Sequence, residues 1–114
     1  ASAACHMPDV LEMPYLPPIY NAAKQPDEGG QYQHRYRLAG PTCLAGDVIG
    51  DYSFDAVPAV GDLLVFGDMA IYTTCKNNTF NGMPLPGIYA RKSDGTTRKI
   101  VTFGYTDFKC RLGK

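Results

Sequence analysis

Cys43 is the residue best suited to chemistry, and it stands in the stretch GPTCLAGD at residues 40–47. Gly40 and Pro41 predict a turn there, because glycine tolerates positive φ while proline fixes φ and donates no hydrogen bond. A cysteine buried in a strand is usually inert packing, whereas a thiol on a turn beside polar groups can meet a ligand. The octet alone favours packing and leaves a ligand-binding role open.

The other cysteines and the histidines predict neither disulfides nor a metal site. Four cysteines allow three pairings, yet their wide spacing and a start, ASAACHMPDV, without the features of an export signal favour reduced thiols in the cytoplasm. No CxxC pair occurs, and His6 and His34 lie far apart, so a structural zinc site is not expected. We expect His34 to be a partly buried strand residue.

A second candidate region is the stretch DMAIYTTCKNNTFNGMPLP at residues 68–86. It does not alternate like a strand, and a connection of that length in a small domain is usually functional or mobile. It contains two aromatic residues, Tyr72 and Phe80. From the residues alone, Tyr72 in its apolar run is expected in the core, and packing is equally open for Phe80.

Composition indicates a globular domain without a nucleic-acid or membrane partner. The chain has 114 residues, 45% of them apolar, and eleven basic residues cancel eleven acidic ones. A neutral chain has no field to attract nucleic acid or an anionic membrane, and no apolar run is long enough to span one. We therefore expect one domain over residues 1–114.

The elements that must position these residues are short strands, since nine prolines and twelve glycines leave little room for a long helix. The pattern predicts an all-β domain. The predicted strands cover residues 9–15, 31–39, 47–54, 62–67, 87–93 and 98–105. An Asp94-Gly95 turn is predicted to join the last two strands in a hairpin.

Four ordered motifs, GPTCLAGD, VGDLLVF, DMAIYTTCKNNTFNG and PLPGIY, resemble the C-terminal β-domain of the pyridoxal-phosphate-dependent ornithine, arginine and diaminopimelate decarboxylases. The resemblance implies a β-barrel or β-sandwich domain of the alanine racemase and ornithine decarboxylase type. Family members also carry an N-terminal TIM-type barrel that holds the cofactor lysine and the phosphate loop, and no counterpart is found here. The resemblance therefore implies an enzyme fragment that is inactive alone, with the barrel as its partner.

The same resemblance assigns roles to individual residues. Cys43 is expected to reach across a homodimer interface into the partner subunit's active site, where the carbon that has lost carbon dioxide must regain a proton. Tyr72 is expected to hydrogen-bond the phosphate of pyridoxal 5'-phosphate in its own subunit. Phe80 is expected to line the substrate pocket. Asp47 is expected to support the subunit interface, with a capping role at a strand start as the alternative.

Two departures from the family pattern bear on the substrate. Leu44 stands where ornithine and diaminopimelate decarboxylases carry an acid that holds the distal amine, and Glu12 stands where the latter carry an arginine for a distal carboxylate. With HMPDVLEMPY, these residues resemble the carboxynorspermidine (carboxyspermidine) decarboxylase branch. Glu12 is expected to pair with a substrate amine, assisted by Tyr15 or Asp9; a solvated surface position is the alternative.

Two other functions remain open at this stage. The chain could be the β-domain of a diaminopimelate or ornithine decarboxylase, although Leu44 and Glu12 count against both. It could also be a noncatalytic decoy that keeps the fold and the partner surface without the chemistry. Retention of Cys43 and Tyr72 counts against a decoy.

Overall fold

A computed structural model describes residues 1–13, 15–23 and 31–113 of the chain. The structure is mostly β, with two antiparallel sheets, as the composition predicts. The strands are β1 (Ala22–Ala23), β2 (His34–Ala39), β3 (Val48–Phe54), β4 (Ile88–Arg91) and β5 (Thr97–Val101). The helices are α1 (Ala3–His6), α2 (Pro8–Glu12), α3 (Ala70–Lys76) and α4 (Tyr105–Arg111), with a 3-10 turn at Phe80–Gly82.

The first sheet has three strands in the order β1, β3, β2, with β3 in the middle. In its register His34 pairs with Phe54 and Tyr36 with Tyr52, and the register shifts after Leu38. His34 and Leu38 are half-buried while the residues between them are exposed, which confirms the predicted role of His34 as a partly buried strand residue. The sheet therefore presents one face to a core.

The core lies where β3 meets α1 and the chain segment before β1. Tyr52 is buried and donates a 2.7 Å hydrogen bond to the carbonyl of Pro17, and its ring meets Phe66 edge to face. Burying the phenol without this acceptor would be costly, so the bond fixes the segment around Pro17 over the sheet. The buried apolar cluster comprises Ala3, Met7, Ile19, Ile49, Tyr52 and Phe54.

The second sheet is the hairpin predicted around Asp94-Gly95. β4 pairs with β5, and the carboxylate of Asp94 accepts hydrogen bonds from the amide and hydroxyl of Thr96. Gly95 has φ of 86°, a left-handed conformation that glycine adopts without strain. The hairpin is therefore confirmed.

Three strand predictions are wrong in whole or in part. Residues 9–15 include most of α2 instead of a strand, because Pro8 at the first helical position and Asp9 in the first turn favour a helix start. Among the residues that the structure describes, the stretch 62–67 makes one isolated bridge, between Ile19 and Phe66, instead of a strand. The predicted strand 98–105 ends at Val101, and α4 begins at Tyr105.

No helix in the described part of the chain is long and apolar enough to cross a membrane. Within the same residues, no cluster of histidine, cysteine and carboxylate side chains is placed to hold a metal ion. All four cysteines are free thiols, and Cys5 alone is buried.

Candidate functional site

The loop that carries Cys43 joins β2 to β3 and is closed by its own backbone. The amide of Gly40 donates to the carbonyl of Asp47 at 2.7 Å, and the amide of Asp47 donates to the carbonyl of Leu44 at 3.0 Å. These bonds bring the two ends of the loop together and leave Cys43 and Leu44 exposed at its tip. The turn predicted at Gly40-Pro41 is present, and the packing role is wrong for Cys43 in this chain. We call residues 40–47 the Cys43 loop.

Asp47 anchors the base of the Cys43 loop. Its carboxylate is 2% exposed and accepts hydrogen bonds from the Ser2 hydroxyl at 2.8 Å, the Thr42 hydroxyl at 2.6 Å, and the amides of Ala4 and Thr42. Burial alone would raise its pKa, but these donors outweigh burial and lower the pKa from 3.8 to about 2. The carboxylate therefore ties the loop to α1 as a charged group. The interface role of Asp47 stays a prediction, since these four bonds lie within the chain.

The 3-10 turn at Phe80–Gly82, which we call the Phe80 turn, lies next to the Cys43 loop. The side-chain oxygen of Asn81 accepts a 2.8 Å hydrogen bond from the amide of Cys43, across 38 positions of sequence. Asn81 has φ of 58° and ψ of 20°, a left-handed conformation that asparagine adopts more readily than most residues. Phe80 is 44% exposed and so is not a core residue of this chain. The structure thus brings the segments of Cys43 and Phe80 together.

Helix α1 holds the Phe80 turn from the other side. Asn78 donates from its side chain to the carbonyl of Ala4 at 2.9 Å and from its amide to the carbonyl of Cys5 at 3.0 Å. The thiol of Cys5 lies 3.5 Å from the carbonyl of Phe80, and Asn78 accepts from the amide of Phe80 at 3.0 Å. One short helix therefore anchors both the Cys43 loop and the Phe80 turn.

Tyr72 lies on α3, in the region that the sequence left without a strand. It is 55% exposed, so the core role is wrong in this chain, and it borders an open cavity of about 190 Å³. In the described part of the chain its hydroxyl makes no hydrogen bond, and its ring lies 5.5 Å from the ammonium of Lys76. The cavity is lined by Asp9, Met13, Tyr15, Asp68, Met69, Ile71 and Tyr72.

The acids of α2 form an ion pair within the chain. Lys76 on α3 lies 2.7 Å from Glu12 and 3.2 Å from Asp9. Hydrogen bonds from Lys76 to Glu12 and then to Asp9 raise the pKa of the lysine. Tyr15 instead donates to the carboxylate of Asp68 at 3.0 Å, and partial burial followed by this bond raises the pKa of its phenol. Glu12 is therefore exposed to solvent and already forms an ion pair with Lys76.

The sequence predictions separate into two groups in space. Cys43, Leu44 and Phe80 belong to the paired loop and turn, while Tyr72, Tyr15 and Asp9 border the cavity beside α3. Sequence reasoning missed the partners of these side chains and of Asp47 and Glu12. The missed partners are Ser2, Thr42, Lys76, Asp68 and Asn81. Only Asn81 carried a local signal, since Asn-Gly at 81–82 is typical of turns with positive φ.

Tyr72 could hold one oxygen of a phosphate group, because its free hydroxyl is a hydrogen-bond donor. The other polar residues of the cavity are the carboxylates of Asp9 and Asp68 and the phenol of Tyr15, which already donates to Asp68. Carboxylates repel a phosphate and offer it no hydrogen, so these side chains alone do not complete a phosphate site. The cavity fits one edge of a phosphorylated cofactor and not a complete phosphate site.

Comparison with known proteins identifies the family to which the chain belongs. Residues 1–70 match the model of the pyridoxal-dependent decarboxylase, C-terminal sheet domain. Over 98% of its length, the chain is 47% identical to a carboxyaminopropylagmatine decarboxylase from Synechocystis, of which it covers 28%. Over 96%, it is 39% identical to a carboxynorspermidine/carboxyspermidine decarboxylase from Campylobacter jejuni, of which it covers 31%.

A solved structure extends the match to three dimensions. The crystal structure of carboxynorspermidine decarboxylase from Campylobacter jejuni, complexed with norspermidine, superimposes with a TM-score of 0.87 at 37% identity. The alignment covers 97% of this chain and 32% of that chain. The chain thus spans about a third or less of the length of these relatives. It belongs to the pyridoxal-dependent decarboxylases, as their C-terminal sheet domain.

Proposed function

We propose that this chain is the sheet domain of a two-domain enzyme that removes carbon dioxide from a carboxylated polyamine, carboxynorspermidine or carboxyspermidine. The observation that carries the proposal is the superposition on carboxynorspermidine decarboxylase over 97% of the chain. The barrel domain of such an enzyme would bind pyridoxal 5'-phosphate through a lysine. When bound, the cofactor withdraws electrons from the substrate carbon so that carbon dioxide can leave.

In this proposal Cys43 returns a proton to the carbon that lost carbon dioxide. A thiol can act as a general acid at neutral pH when it is held within reach of the carbon. Cys43 is exposed at the tip of its loop, so its thiol is accessible to a second subunit of a homodimer. Phe80 beside it would provide an apolar wall for the methylene groups of the substrate.

Tyr72 is proposed to donate to the cofactor phosphate from the same subunit. Its hydroxyl lies at the edge of an open cavity, and the remaining phosphate donors would come from the barrel. Replacing Tyr72 with phenylalanine removes one donor and keeps the ring. We expect Tyr72→Phe to weaken cofactor binding about tenfold, as the loss of one hydrogen bond to a charged group predicts.

Glu12 is proposed to receive a substrate amine, and its contact with Lys76 sharpens the test. The lysine ammonium already contacts one oxygen of Glu12, so it competes there with a substrate amine. Glu12→Gln should then raise KM for carboxynorspermidine, while Lys76→Gln, which removes the competing cation, should lower it. An unchanged kcat/KM in Glu12→Gln would show that the acid only anchors α3.

A second candidate substrate is carboxyaminopropylagmatine, because the relative named for it is 47% identical over 98% of the chain. Agmatine ends in a planar guanidinium, which carboxylates can bind through two parallel hydrogen bonds. The adjacent acids Asp9 and Glu12 are chemically suited to either cation. The substrate panel below includes this compound for that reason.

The proposal is tested on the complete two-domain enzyme loaded with cofactor. Carbon dioxide release is measured with carboxynorspermidine, carboxyspermidine, carboxyaminopropylagmatine, diaminopimelate and ornithine. We expect turnover of a carboxylated polyamine and none of diaminopimelate or ornithine. The 114 residues alone should release no carbon dioxide. Cofactor binding without turnover of any of the five would instead support the noncatalytic decoy.

The role of Cys43 is tested in the same assay. Cys43→Ala should lower kcat by about 100-fold or more, the usual range for loss of a general acid, with cofactor absorbance unchanged. Cys75→Ala and Cys110→Ala are matched controls, because both remove an exposed thiol away from the Cys43 loop. Both controls should stay within about twofold of the parent enzyme. An equal effect of all three substitutions would refute the assignment.

A further inference from the structure

The hydrogen bond between Asn81 and Cys43 contributes little to the overall stability of the chain. Both residues are exposed, and water can replace either partner, so its net worth is small. What the bond does fix is geometry, because the amide of Cys43 can only donate and the Asn81 oxygen receives it at 2.8 Å. It is the link given by the structure between the tip of the Cys43 loop and the Phe80 turn.

Asn81 presents its oxygen from a fixed base. The turn that carries it is attached to α1 by the bonds of Asn78 to Ala4 and Cys5. The Cys43 loop, whose amide donates to this oxygen, is attached to the same helix through Asp47. The Cys43 backbone is thus held at the loop base by Asp47 and near the tip by Asn81.

The residue type at position 81 satisfies two requirements at once. The backbone there is left-handed, which glycine, asparagine and aspartate accept best. The hydrogen bond needs a short side chain with an acceptor, which excludes glycine and alanine. Among common residues only asparagine and aspartate meet both conditions. Substitutions at position 81 can therefore test the backbone preference and the side-chain acceptor separately.

We propose that Asn81 is a positioning residue that holds the Cys43 backbone, and through it the thiol, in register with Phe80 for proton delivery. This inference rests on the proposed function, in which Cys43 supplies the proton. Asn81 itself touches no reacting atom in this proposal. Its loss should therefore slow turnover without weakening substrate binding.

Three substitutions in the complete enzyme test the inference. Asn81→Asp keeps the acceptor and the backbone preference, Asn81→Gly keeps only the backbone preference, and Asn81→Ala keeps neither. We expect kcat within about threefold of the parent for aspartate and about tenfold lower for glycine and alanine, with KM within about twofold throughout, since misplacing a reacting group costs turnover. A glycine variant that matches the parent would overturn the inference.

A second readout does not depend on activity. Hydrogen exchange of the Cys43 amide, followed in the apoenzyme, should be about tenfold faster in the glycine and alanine variants and near the parent rate in the aspartate variant. Exchange of the Ala4 and Cys5 amides should stay constant, because α1 is held by other bonds. Unchanged exchange at Cys43 in the glycine variant would show that Asn81 does not hold it.

The combined variant Cys43→Ala with Asn81→Gly separates the two proposals. If Asn81 acts only through Cys43, the combined variant should have the kcat of Cys43→Ala alone. If the decrease in kcat of the combined variant equals the product of the two single decreases, the inference is overturned and the role of Cys43 stands. Full activity of Cys43→Ala would overturn the proposed function, and the exchange measurement would still decide whether Asn81 holds the loop.

Discussion

Replacing Asp47 with asparagine should release the Cys43 loop. The substitution keeps the shape of the side chain but removes the charge that Ser2, Thr42 and the amide of Ala4 surround. The amide oxygen can take the place of the carboxylate oxygen that bonds Ser2 and Thr42. The amide nitrogen then faces the Ala4 amide at the other position, donor against donor.

The magnitude follows from the pKa of Asp47, which the fold lowers from 3.8 to about 2. A difference of about two units between the unfolded and folded chain corresponds to about 2.5 kcal/mol of stability at pH 7. The unsatisfied donor pair adds about 1 kcal/mol, so we expect Asp47→Asn to cost about 3.5 kcal/mol. This cost should fall on local opening of the Cys43 loop and α1.

Amide hydrogen exchange in the complete protein measures such local opening without unfolding another domain. We expect peptides that cover residues 1–7 and 40–47 to exchange about 300-fold faster in Asp47→Asn, since 1.4 kcal/mol corresponds to a factor of ten. Asp51→Asn is the matched control. Asp51 is a half-exposed partner of Arg35 and Arg37, and such surface pairs contribute less than about 1 kcal/mol.

The pH dependence of the effect of Asp47→Asn tests whether the charge of Asp47 stabilises the Cys43 loop. Because the folded pKa of Asp47 is depressed, its stabilisation is complete above the unfolded pKa of 3.8 and disappears as pH falls through about 2. At pH 3 the charge contributes about half of its full value, so the total difference between the parent and Asp47→Asn should shrink from about 3.5 to about 2.3 kcal/mol. A difference that stays constant from pH 7 to pH 3, or that is absent at pH 7, would refute the assignment of the charge.

Other predictions use the same exchange measurement. Gly40→Ala should cost about 2 kcal/mol because a Cβ there would overlap the Asp47 carboxylate, while Gly46→Ala, with open space around it, should stay within about 0.5 kcal/mol; equal effects would contradict this account. Tyr52→Phe should cost about 1 kcal/mol by leaving a buried carbonyl without its donor, and no loss of protection around β3 would count against it. Lys76→Gln should cause a small loss of protection that vanishes in high salt, because it removes a surface ion pair; a salt-independent loss would point to packing.

Sequence reasoning predicts well the elements that local chemistry defines. The alternation in β2 and the Asp94-Gly95 turn each act over a few residues, so β2 and the β4–β5 hairpin appear near the predicted positions, although β5 ends already at Val101. Two of the short helices, α1 and α4, were missed because a capping hydrogen bond, and not an apolar pattern, marks where they start. In α4 the carboxylate of Asp107 accepts from the amide of Gly104 at 2.7 Å, and this start signal lies inside an apolar stretch that also resembles a strand.

The site is less predictable from sequence because its contacts join residues that lie far apart along the chain. The resemblance marks Cys43 and Phe80 separately, but their adjacency depends on the side chain of Asn81 and on the contacts of both segments with α1. Glu12 shows the opposite case, in which a residue chosen for a substrate contact has an internal partner, Lys76, on another helix. A single sequence carries no spacing rule for such pairs.

Helix α1 has a consequence for the order of folding. Its contacts join residues 45 positions apart at Ser2 and Asp47, 75 apart at Cys5 and Phe80, and 78 apart at His6 and Pro84. Closing loops of this length costs chain entropy before the contacts repay it, which makes such contacts slow to form. During synthesis the hairpin β2–β3 can pair early, but the Cys43 loop acquires its final geometry only after the ribosome has released the chain through Asn81.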